Sequence, residues 1–364
     1  MQKTHLVAIG TANPPYQIPQ SSTADFMIQK LQLDTQEARK LKIIYRATAI
    51  DARYSVIDDY LKTKDFSFYP NDNSAFPSTE KRMKIYEQNA CNLAIQAIEN
   101  AISPEIYPKI THLITVSCTG MYAPGLDIEL TEKLPLSSHV QRTCINFMGC
   151  YASFNALKYA DLICKAVPNA KVLIVGVEMC TLHLQFSKKD DDLVSNALFA
   201  DGAAAVFLEA NSTAEKTLIL EDFYCDLAFQ GKKDMAWNIG DFGFQMQLSS
   251  YVADLLQEKS ELLITNLLKN SNIDLSDIGF FAIHPGGKRI LEKLEQVLKI
   301  TKVQNQFSYD ILQNFGNMSS VTVLFVLKKL LESLEKNDHK KKVLSMAFGP
   351  GLTLESALLT TNVN

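Results

Sequence analysis

The pattern that most constrains this chain is an alternation of short β-branched runs with longer stretches of helical periodicity. Runs at 112–117 (HLITVS), 171–178 (KVLIVGVE), 203–209 (AAAVFLE), 278–284 (IGFFAIH) and 342–347 (KVLSMA) are almost wholly apolar, instead of apolar at every second position. Such strands are buried on both faces, so helices must cover their sheets, as in an α/β fold. Apolar spacing predicts helices over 79–102, 150–166, 250–270, 286–298 and 317–335. Polar segments at 61–78, 186–192 (FSKKDDD) and 334–342 (LEKNDHKKK) read as surface loops.

At 364 residues the chain is long enough for two domains or one large pseudo-duplicated one. Gly149-Cys150 opens a helix that a loop and KVLIVGVE follow; Gly316-Asn317 opens another, followed by KVLSMAFGPG. Two copies of one βαβ-containing unit would bring two equivalent helix starts to one place. A net charge of -4 supplies no basic field for a phosphate backbone, which argues against nucleic acid as a partner. The seven cysteines, Cys91, Cys118, Cys144, Cys150, Cys164, Cys180 and Cys225, form no Cys-x-x-Cys pair and fit a reducing cytoplasm, with no metal site expected. The N-terminal MQKTHLVAIGTANPP has too short an apolar stretch for a signal peptide, and no apolar run approaches the roughly 20 residues of a membrane span. The expectation is a soluble, cytoplasmic protein.

Three residues stand where chemistry is favoured. Cys150 follows Gly149 at a helix start, where free N–H groups and the helix dipole favour thiolate; burial as an inert structural cysteine is the other reading. His284 ends an apolar strand before Pro285-Gly286-Gly287, at the edge where α/β folds collect ligands, or it is a hydrogen-bonded surface group. Asn317 is either a plain N-cap or a donor aimed at a site.

Taken in order and spacing, GCYASFNAL, AIHPGGKRIL and GNMSSVTVLFVL, with IGTANPP, LVSNALFADGAAAVF and AFGPGLTLES, resemble the type III polyketide synthases, the chalcone and stilbene synthase-like family in its microbial branch. The resemblance covers essentially the whole chain. It implies a thiolase-like fold of two pseudo-duplicated αβαβα halves. The N-terminal half, 1–210, would carry the nucleophilic Cys150, and the C-terminal half, 211–364, would carry His284 and Asn317. It also implies a homodimer, malonyl-CoA and an acyl-CoA starter as substrates, and no cofactor beyond these CoA thioesters.

The chemistry the resemblance implies uses these residue types. An ion pair with His284 would hold Cys150 as thiolate to take the starter acyl group. His284 and Asn317 would donate to the enolate oxygen formed when malonyl-CoA loses CO₂, and the carbanion would then attack the Cys150 thioester. Iteration and cyclisation would give an alkylpyrone, resorcinol or related aromatic polyketide. Phe199 matches the family's gating Phe. Cys118, His183, Trp237 and Met246 match cavity positions that differ from the plant enzymes, with Leu184 beside His183. Ser319, Gly286, Gly287, Gly349 and Pro350 match substrate-contacting motifs, and Arg46 and Arg53 lie in the segment that meets CoA phosphates. Ala123 stands where the plant enzymes place a Met that reaches into the partner's cavity. Three competing readings share parts of the pattern: a β-ketoacyl synthase III, a papain-like Cys-His-Asn hydrolase, and a non-catalytic thiolase-fold subunit.

Overall fold

Each central strand is apolar on both faces, its alternate residues pack into two different cores, and the layers follow from that. The computed structural model describes residues 2–70, 76–249 and 252–363. The first half of the chain forms β1 (Thr4–Ala12), β2 (Tyr16–Pro19), α1 (Gln20–Lys30), α2 (Thr35–Ala47), β3 (Ala52–Ser55), α3 (Thr79–Glu99), β4 (His112–Ser117), α4 (Leu126–Lys133), β5 (Gln141–Asn146), α5 (Ala152–Ala166), β6 (Lys171–Met179), α6 (Asp190–Leu198) and β7 (Asp201–Ala210). The second half forms β8 (Lys216–Leu227), β9 (Met235–Gly240), β10 (Gly243–Leu248), α7 (Val252–Asn270), β11 (Ile278–Ile283), α8 (Lys288–Leu298), α9 (Gln306–Phe315), α10 (Thr322–Ser333), β12 (Lys342–Gly349) and β13 (Thr353–Val363).

Nine strands join in the order β11-β12-β13-β8-β1-β7-β6-β4-β5. The order is a duplication joined in the middle. β1-β7-β6-β4 and β8-β13-β12-β11 repeat the same sequence of pairings: antiparallel, antiparallel, parallel. Within the sheet the halves meet where Thr4–Leu6 pairs antiparallel with Leu218–Leu220. On β6, Val172 and Ile174 face a central core while Leu173, Val175 and Val177 face an outer one, the two-residue period of a doubly buried strand. The central core holds Phe154 and Leu157 of α5 with Val323, Leu324 and Leu327 of α10. The two outer cores lie under α3 on one side and under α7 and α8 on the other. The result is five layers, αβαβα. In α10, six consecutive residues from Thr322 to Leu327 are buried, as expected of a helix enclosed between two sheets.

Several sequence expectations shift. Residues 186–192 do not form one loop, because Asp190, Asp191 and Asp192 make the first turn of α6, where acidic side chains suit the helix dipole. The expected 317–335 helix starts later, with a 3₁₀ turn at Ser319–Val321 before α10. The 334–342 segment contains a 3₁₀ turn at Lys336–Asp338, and Lys342 already belongs to β12. Residues 71–75 of the 61–78 loop and 250–251 of the predicted 250–270 helix lie outside the described residues.

Candidate active site

The duplication places the loops after equivalent strands face to face. Cys118 follows β4 and His284 follows β11; Cys150 precedes α5 and Asn317 precedes α10. All four side chains are buried.

Cys150 sits two residues ahead of α5, in the turn made possible by Gly149 at φ +92°. A Cβ on Gly149 would lie 2.1 Å from Pro350 Cδ, and one on Gly349 would lie 2.6 Å from the Tyr151 ring and 3.2 Å from Cys150 N. The Gly349-Pro350 turn is therefore pressed against the Cys150 turn, and glycine is required on both sides of that contact. Behind it, Cys118 Sγ accepts from Gly149 N at 2.9 Å and lies 3.3 Å from Gly149 O. The Cys118 sulfur thus supports the backbone of the turn and does not line the cavity, which corrects its expected role as a substrate contact.

Asn317 is positioned by backbone pairing with α6's end: Asn317 N donates to Leu198 O and Ala200 N donates to Asn317 O, both at 2.9 Å. Its Oδ1 accepts from Ser319 N at 2.9 Å, an Asx-type bond at the entrance to the following turn; the N-cap position itself is Met318, so the plain N-cap reading does not hold. That bond fixes the amide and turns Nδ2 the other way, where it donates to Gly286 O at 3.3 Å, on the side from which the Asn317 side chain favours the Cys150 thiolate. The Asx-turn acceptor and the site donor are different atoms of one side chain.

His284 N donates to Met346 O at 2.8 Å, continuing the β11–β12 pairing past the strand's end. Both ring nitrogens are buried without a hydrogen-bond partner among the described residues. Burial alone pushes the imidazole down to about 3. Burial also pushes the Cys150 thiol up to about 12; hydrogen bonding from Ser319 and Asn317 pulls it back, and the Glu178 carboxylate pushes it up. Burial therefore opposes the thiolate–imidazolium pair expected from the sequence and favours the two neutral groups.

A buried carboxylate underlies the site. Glu178 accepts from Cys118 N at 3.0 Å, from Thr119 Oγ1 at 2.7 Å and from Ser320 Oγ, holding the segments after β4 and after Asn317 together. Ser153 Oγ donates to Ser320 O at 2.6 Å and ties α5 into the same knot.

Next to Asn317 lies a cavity whose walls include Phe199, His183, Leu184, Trp237, Phe244 and Met246. Phe199 stands beside Asn317 through their strand-like bridge. The cavity positions proposed for Phe199, His183, Trp237 and Met246 therefore converge, although His183 offers no free nitrogen to a substrate: Nε2 bonds Thr119 O at 2.7 Å and Nδ1 accepts from Phe244 N at 2.9 Å. Arg53 lines the same cavity, but not as the expected phosphate contact: it is buried, and its guanidinium donates to Asn196 O at 2.9 Å and to Phe199 O, which holds it away from a phosphate in solvent. Arg46 is exposed on α2 beside Arg39 and Lys42. A separate, largely apolar groove runs past Ala47, Thr48, Leu198 and Leu248 to Gly286 and Gly287, with Lys288 and Arg289 at its end. These two basic residues follow directly on the HPGG motif, and the sequence reading passed over them.

The chain matches the family model for chalcone and stilbene synthases, N-terminal domain, over residues 1–212 and the C-terminal domain model over residues 225–363. It belongs to the chalcone and stilbene synthase family. Among its relatives, the alpha-pyrone synthesis polyketide synthase-like protein Pks18 of Mycobacterium tuberculosis is 30% identical over 96% of this chain and 89% of its own length. The structure of PKS-I from the brown alga Ectocarpus siliculosus superposes with a TM-score of 0.89 at 28% identity, covering 99% of this chain and 98% of that one. The C-terminal type III polyketide synthase domain of Steely1 from Dictyostelium gives 0.89 at 27% identity, with full coverage of both chains. This family has the thiolase-like fold, and its type III polyketide synthases are acyltransferases that catalyse Claisen condensation of CoA thioesters. Among the described residues, no helix is long and apolar enough to cross a membrane.

Proposed function

We propose that this type III polyketide synthase loads an acyl-CoA starter onto Cys150, extends it iteratively with malonyl-CoA by decarboxylative Claisen condensation, and cyclises the chain to an alkylpyrone, resorcinol or related aromatic polyketide. The observation that carries the reading is the commitment of Asn317 Oδ1 to Ser319 N, which leaves Nδ2 aimed at the Cys150 side of the site. A fixed amide donor beside a buried nucleophile, and a neutral imidazole with two free nitrogens, suit a developing enolate.

In the loading step the Cys150 thiol gives its proton to His284 as sulfur attacks the starter thioester; the tetrahedral intermediate collapses with cleavage of the C–S bond to CoA, and CoA leaves as the thiol, taking that proton from His284. In extension, malonyl-CoA loses CO₂ and the electron pair passes to the thioester oxygen, which accepts from Asn317 Nδ2 and the His284 imidazole. The carbanion carbon then attacks the Cys150 thioester and releases the thiol. An Asp at 317 would set a negative charge against the enolate. The apolar groove ending at Gly286 and Gly287 fits a pantetheine arm; CoA phosphates would meet Lys288 and Arg289 there by exchanging with their exposed partners Glu292 and Asp254, while Asp190 and Asp191 line the same groove. No cofactor beyond CoA thioesters is needed in this scheme. The name of the mycobacterial relative supports an α-pyrone as one product class.

A homodimer is part of the same proposal. β5 is an edge strand, and α5, which packs against it, exposes Tyr159 and Leu162, with Met148 exposed between them in sequence. An unpaired edge beside exposed apolar side chains favours a second copy of the chain.

Loading is tested by intact-protein mass spectrometry after incubation with acyl-CoA starters. An adduct of the acyl mass that maps to the Cys150 peptide and is missing from Cys150→Ala supports the proposal. An adduct on another residue, or none with any starter, overturns it.

A further inference from the structure

The cavity wall that carries Trp237 and Met246 belongs to neither half of the main sheet. It is the two-stranded hairpin β9–β10, in which Met246 and Trp237 are direct cross-strand partners. An isolated hairpin is marginal in water, so its position depends on what holds it. Its tip is bonded to Thr79: Thr79 N donates to Asp241 O and Gly243 N donates to Thr79 Oγ1, each at 2.8 Å. At its base Gly351 N donates to Met235 O at 2.8 Å. Between tip and base the hairpin is held by Gln185 Nε2, which donates to Phe242 O at 3.1 Å and Phe244 O at 3.4 Å, and, on the face toward the cavity, by His183 and by Trp237 itself.

His183 makes four contacts there. Nε2 bonds Thr119 O, so Nε2 carries the proton and Nδ1 is left to accept from Phe244 N. The imidazole stacks on the Phe244 ring with centroids 4.2 Å apart and 9° between planes. It meets the Trp237 ring edge-on at 5.7 Å. Trp237 Nε1 in turn donates to Cys118 O at 2.8 Å. Cys118 and Thr119 are the residues whose backbone and side chains Glu178 fixes against the Cys150 turn. The turn bearing His183 is itself pinned by buried Arg82, which donates to Leu182 O and, at 3.3 Å, to Leu184 O.

We propose that His183 is a positioning residue that latches the β9–β10 hairpin to the segment after β4, and so sets the distance of the Trp237–Met246 wall from Cys150 and the length to which a growing polyketide can extend. The consequence for chain length rests on the polyketide synthase reading; the latch does not. The ring acts through both nitrogens and through its face, and makes no proton transfer. Met246 is the residue most affected, because it lines both the inner cavity and the surface groove beside Gln185 and Asp192. Releasing the latch would join the two spaces at that point.

Two substitutions separate the parts of the latch. His183→Gln keeps one donor and one acceptor in place of the two ring nitrogens; His183→Phe keeps the stack on Phe244 and loses both hydrogen bonds. Trp237 is the only tryptophan of the chain, so intrinsic fluorescence reports this wall alone. Loss of two neutral hydrogen bonds shifts the closed-to-open ratio of the hairpin by roughly tenfold. The expected result is a red-shifted Trp237 emission and stronger acrylamide quenching in His183→Phe, with His183→Gln close to wild type. In assays with malonyl-CoA and a fixed starter, His183→Phe shifts the product ratio toward longer chains and His183→Gln restores it. Thermal melts identify a variant that fails to fold, and Phe244→Leu, which removes the stack but keeps the Phe244 N–H, then serves as the second probe. Equal fluorescence in wild type and a folded His183→Phe overturns the latch. Altered fluorescence with an unchanged product ratio overturns its control of chain length. A wild type that makes no polyketide defeats the proposed function, while the fluorescence comparison still decides the latch.

Discussion

Asn317 Oδ1 accepts the Ser319 backbone N–H at 2.9 Å, and this bond orients the Nδ2 that the reaction uses. Turn geometry and catalysis are therefore coupled in one side chain. Replacing Asn317 with Ala removes the donor and the Asx-turn acceptor together; replacing it with Asp keeps the acceptor and puts negative charge where the enolate forms. Both variants lower the rate of malonyl-CoA decarboxylation by about 10²–10³, the usual effect of losing one such donor. Released labelled CO₂ is the measurement. Asp is the better folded of the two in a denaturant melt, since its bond to Ser319 N survives.

Gly149 combines a left-handed φ with a Cβ position 2.1 Å from Pro350. Gly149→Ala costs about 1–3 kcal/mol in backbone strain alone, and the contact with Pro350 adds to it. The denaturant midpoint falls, and acyl loading at Cys150 falls with it because the turn carrying the thiol must move.

Arg53 and Arg289 exchange the roles that sequence position suggests. Arg53→Met removes the partner of two buried carbonyls and of the nearby Asp201 carboxylate, and destabilises the protein by about 3–5 kcal/mol. Arg289→Ala, at an exposed site, changes the melting temperature little and raises KM for CoA thioesters by about three- to tenfold, the scale of one exposed charged contact. Steady-state kinetics and thermal melts on the same two variants separate these outcomes.

His183 and His284 are both held down to about 3 by burial, against an ordinary value of 6.5. Between these values the unfolded chain binds protons that the folded one refuses, so stability rises with pH through that window. The stability is fully present above about pH 6.5 and is lost as pH falls, with a slope approaching about 2.7 kcal/mol per pH unit from these two groups. Melts at pH 7.5, 6 and 5 should show a falling midpoint, with a slope reduced by about one proton in His183→Gln.

Much of this was legible in the sequence because buried strands and motif spacing are local signals. HLITVS, KVLIVGVE and IGFFAIH are strands since only a sheet covered on both faces tolerates such runs, and Gly149-Cys150 and Gly316-Asn317 pointed to the duplication. β5 was missed because its burial alternates weakly along an exposed edge. The β9–β10 hairpin was missed as an element because its identity depends on partners far away, Thr79, His183 and Gly351, which no periodicity encodes. Arg53 misled for the same reason: an arginine near a surface helix gives no local sign that its head group is enclosed by Asn196 and Phe199 carbonyls. The ion pair of Cys150 and His284 is what the family resemblance implies, whereas burial, a property of the assembled fold, decides which protonation state is favoured.

The most direct test of the account is incubation of the purified protein with radiolabelled malonyl-CoA and a panel of acyl-CoA starters, with wild type and Cys150→Ala compared by product chromatography. The account predicts labelled, cyclised polyketides from wild type and none from Cys150→Ala. Polyketides formed equally by both, or labelled products and CO₂ from neither, would contradict it.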